Sequence, residues 1–161
     1  MIFIPQEEYT RIQAVLPILC VDCLIVYEEK CLLLRRTKEP AKGQYWFPGG
    51  RVFKGETIQN ASVRKAREEV NLACRYEKII SVEETIFEKK DEAFSNIHTV
   101  NICCQLSPHD LRSLTIDAMH DHNLWVDIEQ AKLLNLHMAV YNPLTKCFQA
   151  RPGMKVKSIN D

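Results

Sequence analysis

The segment GGRVFKGETIQNASVRKAREEVNL, residues 49 to 72, constrains the fold and chemistry of this chain more than any other. At about 100° per residue, Val63, Ala66 and Val70 share one apolar face, which predicts a helix over residues 57 to 70. The opposite arc of that helix is charged and carries Arg64, Lys65, Glu68 and Glu69. The segment therefore predicts an amphipathic helix whose outer face holds a cluster of charges.

An acidic cluster of this kind predicts a metal site. Glu56 would join Glu68 and Glu69 if the loop before the helix folds back. Such carboxylates repel one another unless a cation lies between them, and Mg²⁺ or Mn²⁺ suits oxygen ligands. Gly49 and Gly50 let the backbone approach closely, so that a carbonyl there becomes a further ligand. The plainer alternative is a solvated helix face held by ion pairs between residues four apart.

The chain as a whole predicts one domain over residues 1–161, with no nucleic acid or membrane as a partner. Its 161 residues suffice for one core, and its 21 basic residues balance 21 acidic ones. Zero net charge argues against nucleic acid as a binding partner, although a few local arginines suffice to bind a small anion. No apolar run approaches the roughly 18 residues of a membrane span, and the N-terminus lacks the pattern of a signal peptide.

The seven cysteines are scattered through apolar surroundings, which favours reduced thiols in the core of a cytoplasmic protein. Cys20 and Cys23 form a C-x-x-C, but they lie in a predicted strand. Residues three apart on a strand point to opposite faces, so the two sulfurs would diverge. Core packing is therefore favoured over a zinc or redox site.

A mixture of strands and helices predicts an α/β fold. The apolar runs predict strands within residues 17–27, 31–36, 74–88 and 97–106. A polar loop over residues 107–122 then leads to a strand at LWVD. Helices are predicted after Pro5, at IEQAKLL, and over residues 139–148 with Pro143 in the first turn.

The spacing in the opening segment resembles the Nudix box, G-x5-E-x7-R-E-U-x-E-E-x-G-U, where U is a bulky apolar residue. Gly50, Glu56, Arg64, Glu68 and Glu69 match this pattern. The preceding Trp-Phe-Pro-Gly sequence also fits the family. The resemblance implies a Nudix fold, in which an α/β/α sandwich surrounds a mixed β-sheet, and a Mg²⁺-dependent hydrolase.

Two positions depart from the box. Asn71 replaces the glycine that ends the helix, a mild change because asparagine also adopts the left-handed conformation. Lys65 replaces a glutamate that is a metal ligand or the base in many members. The resemblance therefore implies that any base lies elsewhere, while Lys65 pairs with Glu69 or lies beside the phosphates.

The rest of the chain resembles the GDP-mannose mannosyl hydrolase branch of the family, which lacks an acid at the same position. The segments RRTKEPAKGQYWFPGGRV, MHDHNLWV and NLHMAVY are similar to segments of that branch. The resemblance implies a nucleotide sugar, GDP-mannose or GDP-glucose, cleaved at the anomeric carbon to GDP and free sugar. It also implies inversion at that carbon and a homodimer.

The same resemblance assigns roles to individual residues. The expected catalytic residues are Arg36, Asp22 and His120, and His120 is expected to be the base. The expected substrate-binding residues are Arg36, Arg51, Arg64 and Asp22. The expected metal ligands are the Gly49 carbonyl and Glu69, with Glu68 and Glu56 as further candidates. Asp121 is expected to orient His120, and Asp22 to hold a sugar hydroxyl or the base.

Some assignments stay open at the level of sequence. The branch has a glutamine ligand just before its histidine, and here that residue is Met119, a poor ligand for Mg²⁺. His122 shares the predicted loop and can exchange roles with His120. Arg35 and Arg36 alternate on one strand, so only one of them faces the cleft.

Two other functions remain open. The first is a pyrophosphohydrolase of the same fold that cleaves the P–O–P bond of an NDP-sugar or a nucleoside triphosphate. The second is a non-catalytic module that binds a nucleotide sugar. Lys65 and Met119 motivate this second alternative, whereas the retained acidic cluster argues against it.

Overall fold

The computed structural model describes residues 4–87 and 97–149. Its elements in chain order are α1 (Gln6–Val15), β1 (Ile18–Tyr27), β2 (Lys30–Arg36), β3 (Tyr45–Trp46), β4 (Gly49–Arg51), α2 (Ile58–Val70), β5 (Cys74–Phe87), β6 (Ile97–Pro108), β7 (His120–Val126), α3 (Ile128–Leu133) and α4 (Met138–Gln149). No helix within these ranges is long and apolar enough to cross a membrane.

Strand β1 is the centre of a mixed sheet that has seven strands within the described ranges. It runs parallel to β6 and antiparallel to β2 and β4. Strand β5 pairs antiparallel with β6 on one side, while β3 and β7 pair antiparallel with β2 on the other. This pairing brings β4, β6 and β7 close to the central strand, although they are far apart in sequence.

Helices cover both faces of the sheet. Successive residues of a strand point to opposite faces, so β1 contributes to two apolar clusters. Val21, Cys23 and Ile25 pack beneath α2, whereas Leu24 and Val26 pack in the cluster that includes α3 and α4. The α/β/α sandwich around a mixed sheet, expected from the sequence, is therefore confirmed.

Helix α2 begins one residue after the predicted start and ends at Val70, as predicted. The Thr57 hydroxyl accepts a hydrogen bond from the backbone N–H of Asn60, which caps the first turn. At the other end Asn71 adopts the left-handed conformation, with φ of 54°, and its N–H bonds back to the last turn. The helix spans Ile58–Val70, which fixes the direction of its charged face.

Three details of the predicted elements were wrong. Strand β7 begins at His120 rather than at Leu124, because its polar first residues pair with β2 across the sheet. Strand β3 lies in a predicted loop. Helix α4 begins at Met138, so Pro143 lies inside the helix and not in its first turn. The run predicted over residues 74–88 is observed to Phe87, and position 88 lies outside the described residues.

All seven cysteines are buried. Cys23 packs in the apolar cluster beneath α2, whereas Cys20 lies outside that cluster and lines a cleft. The two sulfurs of the C-x-x-C therefore diverge, as the alternation of a strand requires. Core packing accounts for this pair.

Candidate functional site

A cleft of about 640 Å³ lies between α1, the centre of the sheet and the charged face of α2. Six of the residues singled out from the sequence line it: Asp22, Arg36, Gly49, Arg51, Glu69 and His120. They come from β1, β2, β4, α2 and β7. The lining does not include Glu56, Arg64 or Glu68. The fold therefore brings most, but not all, of the predicted site residues together.

His120 lies at the start of β7 with a side chain that is 5% exposed. Its Nδ1 lies 2.7 Å from Oδ1 of Asp117. A carboxylate only accepts, so Nδ1 carries the hydrogen of this bond, and in the neutral form of the ring the lone pair is on Nε2. The same Asp117 oxygen accepts the backbone N–H of Met119 at 3.0 Å, which fixes the turn before the strand. The cleft thus receives an oriented imidazole that can take a proton.

The expectation that Asp121 orients His120 is wrong. The Asp121 carboxylate instead accepts two hydrogen bonds from Arg35, at 2.8 and 3.2 Å. Strands β2 and β7 change register between Arg35 and Arg36, where the pairing is irregular. Arg36 lines the cleft, and its Nε donates to the Pro40 carbonyl at 2.7 Å. The neighbouring arginines therefore have different partners, and the arginine paired with Asp121 is not the one in the cleft.

Asp22 is a buried carboxyl group at the base of the cleft, only 3% exposed. Burial raises its pKa to about 7, although a hydrogen bond from Asn101 lowers it, and the charge of Glu69 adds to the rise. The Asn101 amide donates to Oδ2 of Asp22 at 2.9 Å. The remaining oxygen of that amide is buried and has no hydrogen-bond partner among the residues that the structure describes. It is an acceptor that a ligand hydroxyl could satisfy.

Glu69 is the carboxylate of α2 that lines the cleft, and both of its oxygens have partners. Oε2 accepts the N–H of Gly49 at 3.0 Å, and Oε1 lies 2.7 Å from Nζ of Lys65. Lys65 also lies 3.2 Å from Oε2 of Glu68. Burial works to lower the pKa of Lys65, but the two carboxylates outweigh it and raise the pKa. The expected pairing of Lys65 with Glu69 is therefore observed.

Arg64 joins Glu56 to Glu68 outside the cleft. Its Nε and Nη2 donate to the two oxygens of Glu56 at 2.7 and 2.8 Å, and its Nη1 donates to Glu68 at 3.1 Å. Nη2 also bonds the carbonyl of Arg51 at 3.0 Å, and the guanidinium lies 4.1 Å from the ring centroid of Phe53. These bonds lower the pKa of Glu56. The arrangement makes Arg64 a clamp on the loop before α2.

Three further residues complete the account of the predicted set. Arg51 lines the cleft from β4, with its guanidinium 4.3 Å from the ring centroid of Tyr9. Met119 also lines the cleft and is 41% exposed. His122 pairs instead with the Tyr45 hydroxyl at 2.9 Å and is not part of the cleft lining, so the two histidines of β7 are not interchangeable in position.

The described residues do not form a metal site by themselves. No group of three or more His, Cys, Asp or Glu side chains among them is arranged to hold an ion. The reason is the distribution of cations, because Arg64 takes the oxygens of Glu56 and Lys65 takes one oxygen of Glu69. With these oxygens already paired, a divalent ion fits this donor set only if Lys65 releases Glu69.

Two residues of the site were missed from the sequence. Asp117 lies three positions before His120, and that spacing within a polar turn was the available signal for a partner. Asn101 gave no local signal, because it lies in an apolar strand and meets Asp22 through the parallel pairing of β1 and β6.

The sequence of this chain is similar to those of several known proteins. Residues 17–147 match the NUDIX domain. The chain is 33% identical over 118 residues to the low-salt glycan biosynthesis protein Agl8 of Haloferax volcanii, covering 73% of this chain and 75% of that protein. It is 38% identical over 66 residues to the ADP-ribose pyrophosphatase of Methanocaldococcus jannaschii, covering 41% of this chain and 39% of that protein.

The fold of this chain is similar to those of solved structures. A NUDIX hydrolase from Nitrosomonas europaea superimposes with a TM-score of 0.67 at 19% identity, covering 84% of this chain and 72% of that one. At that identity the similarity concerns the fold. It agrees with the sandwich described above.

Proposed function

We propose a function for this chain from one premise: it belongs to the NUDIX domain family. Hydrolases of this family generally use a divalent metal ion such as Mg²⁺. Within the family, we propose that this chain hydrolyses a nucleotide sugar, GDP-mannose or GDP-glucose, at the anomeric carbon. The products would be GDP and the free sugar with inverted configuration.

The observation that carries this proposal is the oriented His120 in the cleft. Position 65, where many members have a glutamate, holds a lysine bound to two carboxylates and cannot take a proton from water. His120 is buried, lines the cleft and has its Nδ1 committed to Asp117. An imidazole whose Nδ1 is held by a carboxylate can accept a proton on Nε2 and so activate a water molecule.

The leaving group also fits the charges around the cleft. Departure of GDP places negative charge on the diphosphate, and positive side chains there stabilise it. Three positively charged side chains line the cleft: Arg36, Arg51 and Lys65. A divalent ion such as Mg²⁺ or Mn²⁺, when bound, would neutralise more of it. Glu69 is the lining carboxylate of α2 that we propose for this ion.

The sugar would lie against the polar groups of β1 and β6. Asp22 and Asn101 are both buried and bonded to each other, which fixes their positions. Asn101 lines the cleft, and its buried amide oxygen has no partner among the described residues. A sugar hydroxyl would satisfy that oxygen, so the pair is our candidate for reading the sugar.

A pyrophosphohydrolase of the same fold is the second candidate. The relative from Methanocaldococcus jannaschii is named for cleavage of ADP-ribose, which is a P–O–P reaction. Glu69, a residue of the box that lines the cleft, favours chemistry on phosphorus as well. A non-catalytic module that binds a nucleotide sugar is the third candidate, because Lys65 pairs with two carboxylates of the acidic cluster.

Hydrolysis in oxygen-18 water separates these candidates. The full chain would be incubated with GDP-mannose, GDP-glucose and ADP-ribose in the presence of Mg²⁺ or Mn²⁺, and the products resolved by NMR and mass spectrometry. Our proposal expects the label in the free sugar and unlabelled GDP. Label in a phosphate together with a sugar phosphate would establish the second candidate. Binding without turnover would establish the third.

Assembly and location follow from the resemblance and composition and remain proposals. We propose a homodimer, a single domain over residues 1–161, and a cytoplasmic location. Sedimentation of the full chain tests the first, and limited proteolysis followed by mass spectrometry tests the second.

A further inference from the structure

The ammonium of Lys65 lies inside the acidic cluster of α2. Its Nζ is 2.7 Å from Oε1 of Glu69 and 3.2 Å from Oε2 of Glu68. The lysine side chain is only 15% exposed, and it lines the cleft. It is therefore not a solvated surface lysine but a cation built into the site.

The lysine stem is also held by packing. A Cβ on Gly50 would lie 2.9 Å from Cε of Lys65, so the stem passes directly over this glycine. Gly50 has a φ of 147°, a conformation that favours glycine. The absence of a side chain at Gly50 leaves the space that Lys65 fills. Position and charge are thus fixed by separate features of the structure.

The charge count of the cluster changes with this residue. Three carboxylates, Glu56, Glu68 and Glu69, face two cations, Arg64 and Lys65, which leaves a net charge of about −1. A glutamate at position 65 would make four carboxylates against one cation, a net charge of about −3. A divalent ion entering the free site must therefore displace Lys65 from Glu69, and it meets a weaker attraction there.

We propose that the Lys65 ammonium is the resident cation of the free site, so that a divalent ion binds this protein only together with a diphosphate ligand. The diphosphate brings its own anionic oxygens, which supply ligands for the ion and a new partner for Lys65. Lys65 can then release Glu69. This inference rests on the proposed function only in taking a diphosphate as the ligand, and it does not depend on which bond is cleaved.

Binding of Mn²⁺ tests the proposal without turnover. The signal of free Mn²⁺ would be followed by electron paramagnetic resonance in a titration of the full chain, with and without GDP. Four proteins would be compared: the unchanged chain, Lys65→Glu, Lys65→Met and Arg67→Glu. Arg67 is exposed on the same helix, so its reversal makes the same change in net charge outside the cluster. Thermal melting would establish that each variant is folded.

We expect the unchanged chain to bind Mn²⁺ about tenfold or more tightly with GDP than without it. Lys65→Glu should bind Mn²⁺ without GDP about tenfold or more tightly than the unchanged chain, Lys65→Met should lie between them, and Arg67→Glu should match the unchanged chain. Tight Mn²⁺ binding by the unchanged chain in the absence of GDP would overturn the proposal. So would equal, weak binding by both Lys65 variants, or no effect of GDP. Turnover of nucleotide sugars is scored separately, so failure of the proposed reaction leaves these outcomes readable.

Discussion

Nδ1 of His120 and Oδ1 of Asp117 lie 2.7 Å apart, within one turn that delivers the histidine to the cleft. The hydrogen bond fixes the tautomer of the ring, and burial of His120 protects it from solvent. We predict that His120→Gln lowers kcat by about 10²–10⁴-fold and leaves GDP binding unchanged. Steady-state kinetics and calorimetry measure both. His109→Gln, an exposed histidine, is the control. Full activity of His120→Gln would exclude His120 as the base.

Asp117 is predicted to position His120 rather than to touch the substrate. Asp117→Ala removes the acceptor of Nδ1–H, so the ring can take the other tautomer. We expect kcat to fall by about tenfold or more while KM changes little, and the pH–rate profile to shift. Asp117→Asn keeps an acceptor oxygen and should recover part of the rate. Asp110→Ala, in the same connecting segment and exposed, should behave as the unchanged chain.

The buried Asp22 predicts a pH dependence of stability. Its ordinary pKa is 3.8 and burial raises it to about 7 in the folded chain. The folded state therefore binds the proton more tightly than the unfolded state, so this contribution is complete below about pH 4 and is lost as the pH rises to about 7. Relative to Asp22→Asn, the unchanged chain should lose on the order of 2–4 kcal/mol across that range.

Urea unfolding at a series of pH values measures this difference. Asp110→Asn serves as the control, because its carboxyl group is exposed. Parallel stability curves for the unchanged chain and Asp22→Asn would show that burial does not raise the pKa of Asp22.

The hydrogen bonds of Arg64 predict that replacing this residue destabilises the fold. Arg64→Met removes the two hydrogen bonds that Arg64 donates to the partly buried carboxylate of Glu56, which keeps only the one from the backbone N–H of Phe53 among the described residues. We expect a decrease of about 1–3 kcal/mol in the free energy of unfolding near neutral pH. The pKa of Glu56 is lowered by Arg64, so the decrease should shrink in acid as Glu56 becomes protonated. Arg67→Met, exposed on the same helix, should cost little, and an equal cost for both would argue against the clamp.

The free amide oxygen of Asn101 predicts a role in reading the sugar. Asn101→Ala removes it together with the hydrogen bond to Asp22. We expect the KM for the nucleotide sugar to rise by about tenfold, which corresponds to the loss of one hydrogen bond. The inhibition constant of GDP should stay unchanged. Gln105→Ala, on the same strand and outside the cleft lining, is the control. Equal weakening of GDP and the nucleotide sugar would place Asn101 away from the sugar.

The sequence by itself determined the local structure around the charged segment. The apolar spacing of Val63, Ala66 and Val70, the cap at Thr57 and the left-handed Asn71 are properties of neighbouring residues, so the span of α2 was predictable. The pairs of Arg64 with Glu68 and Lys65 with Glu69 also follow from helical spacing, because residues four apart lie one turn from each other.

Only the tertiary structure decided which of these groups face the cleft and which partner each one has. The pairing of β2 with β7 is irregular between Arg35 and Arg36, and Asp121 accepts a hydrogen bond from Arg35. Parallel pairing of β1 with β6 brings Asn101 to Asp22 across 79 positions. Contacts of this kind depend on strand register between distant segments, and no local periodicity encodes register. The sequence indicated the residue types of the site, and the pairing of the strands determined which residues reach the cleft.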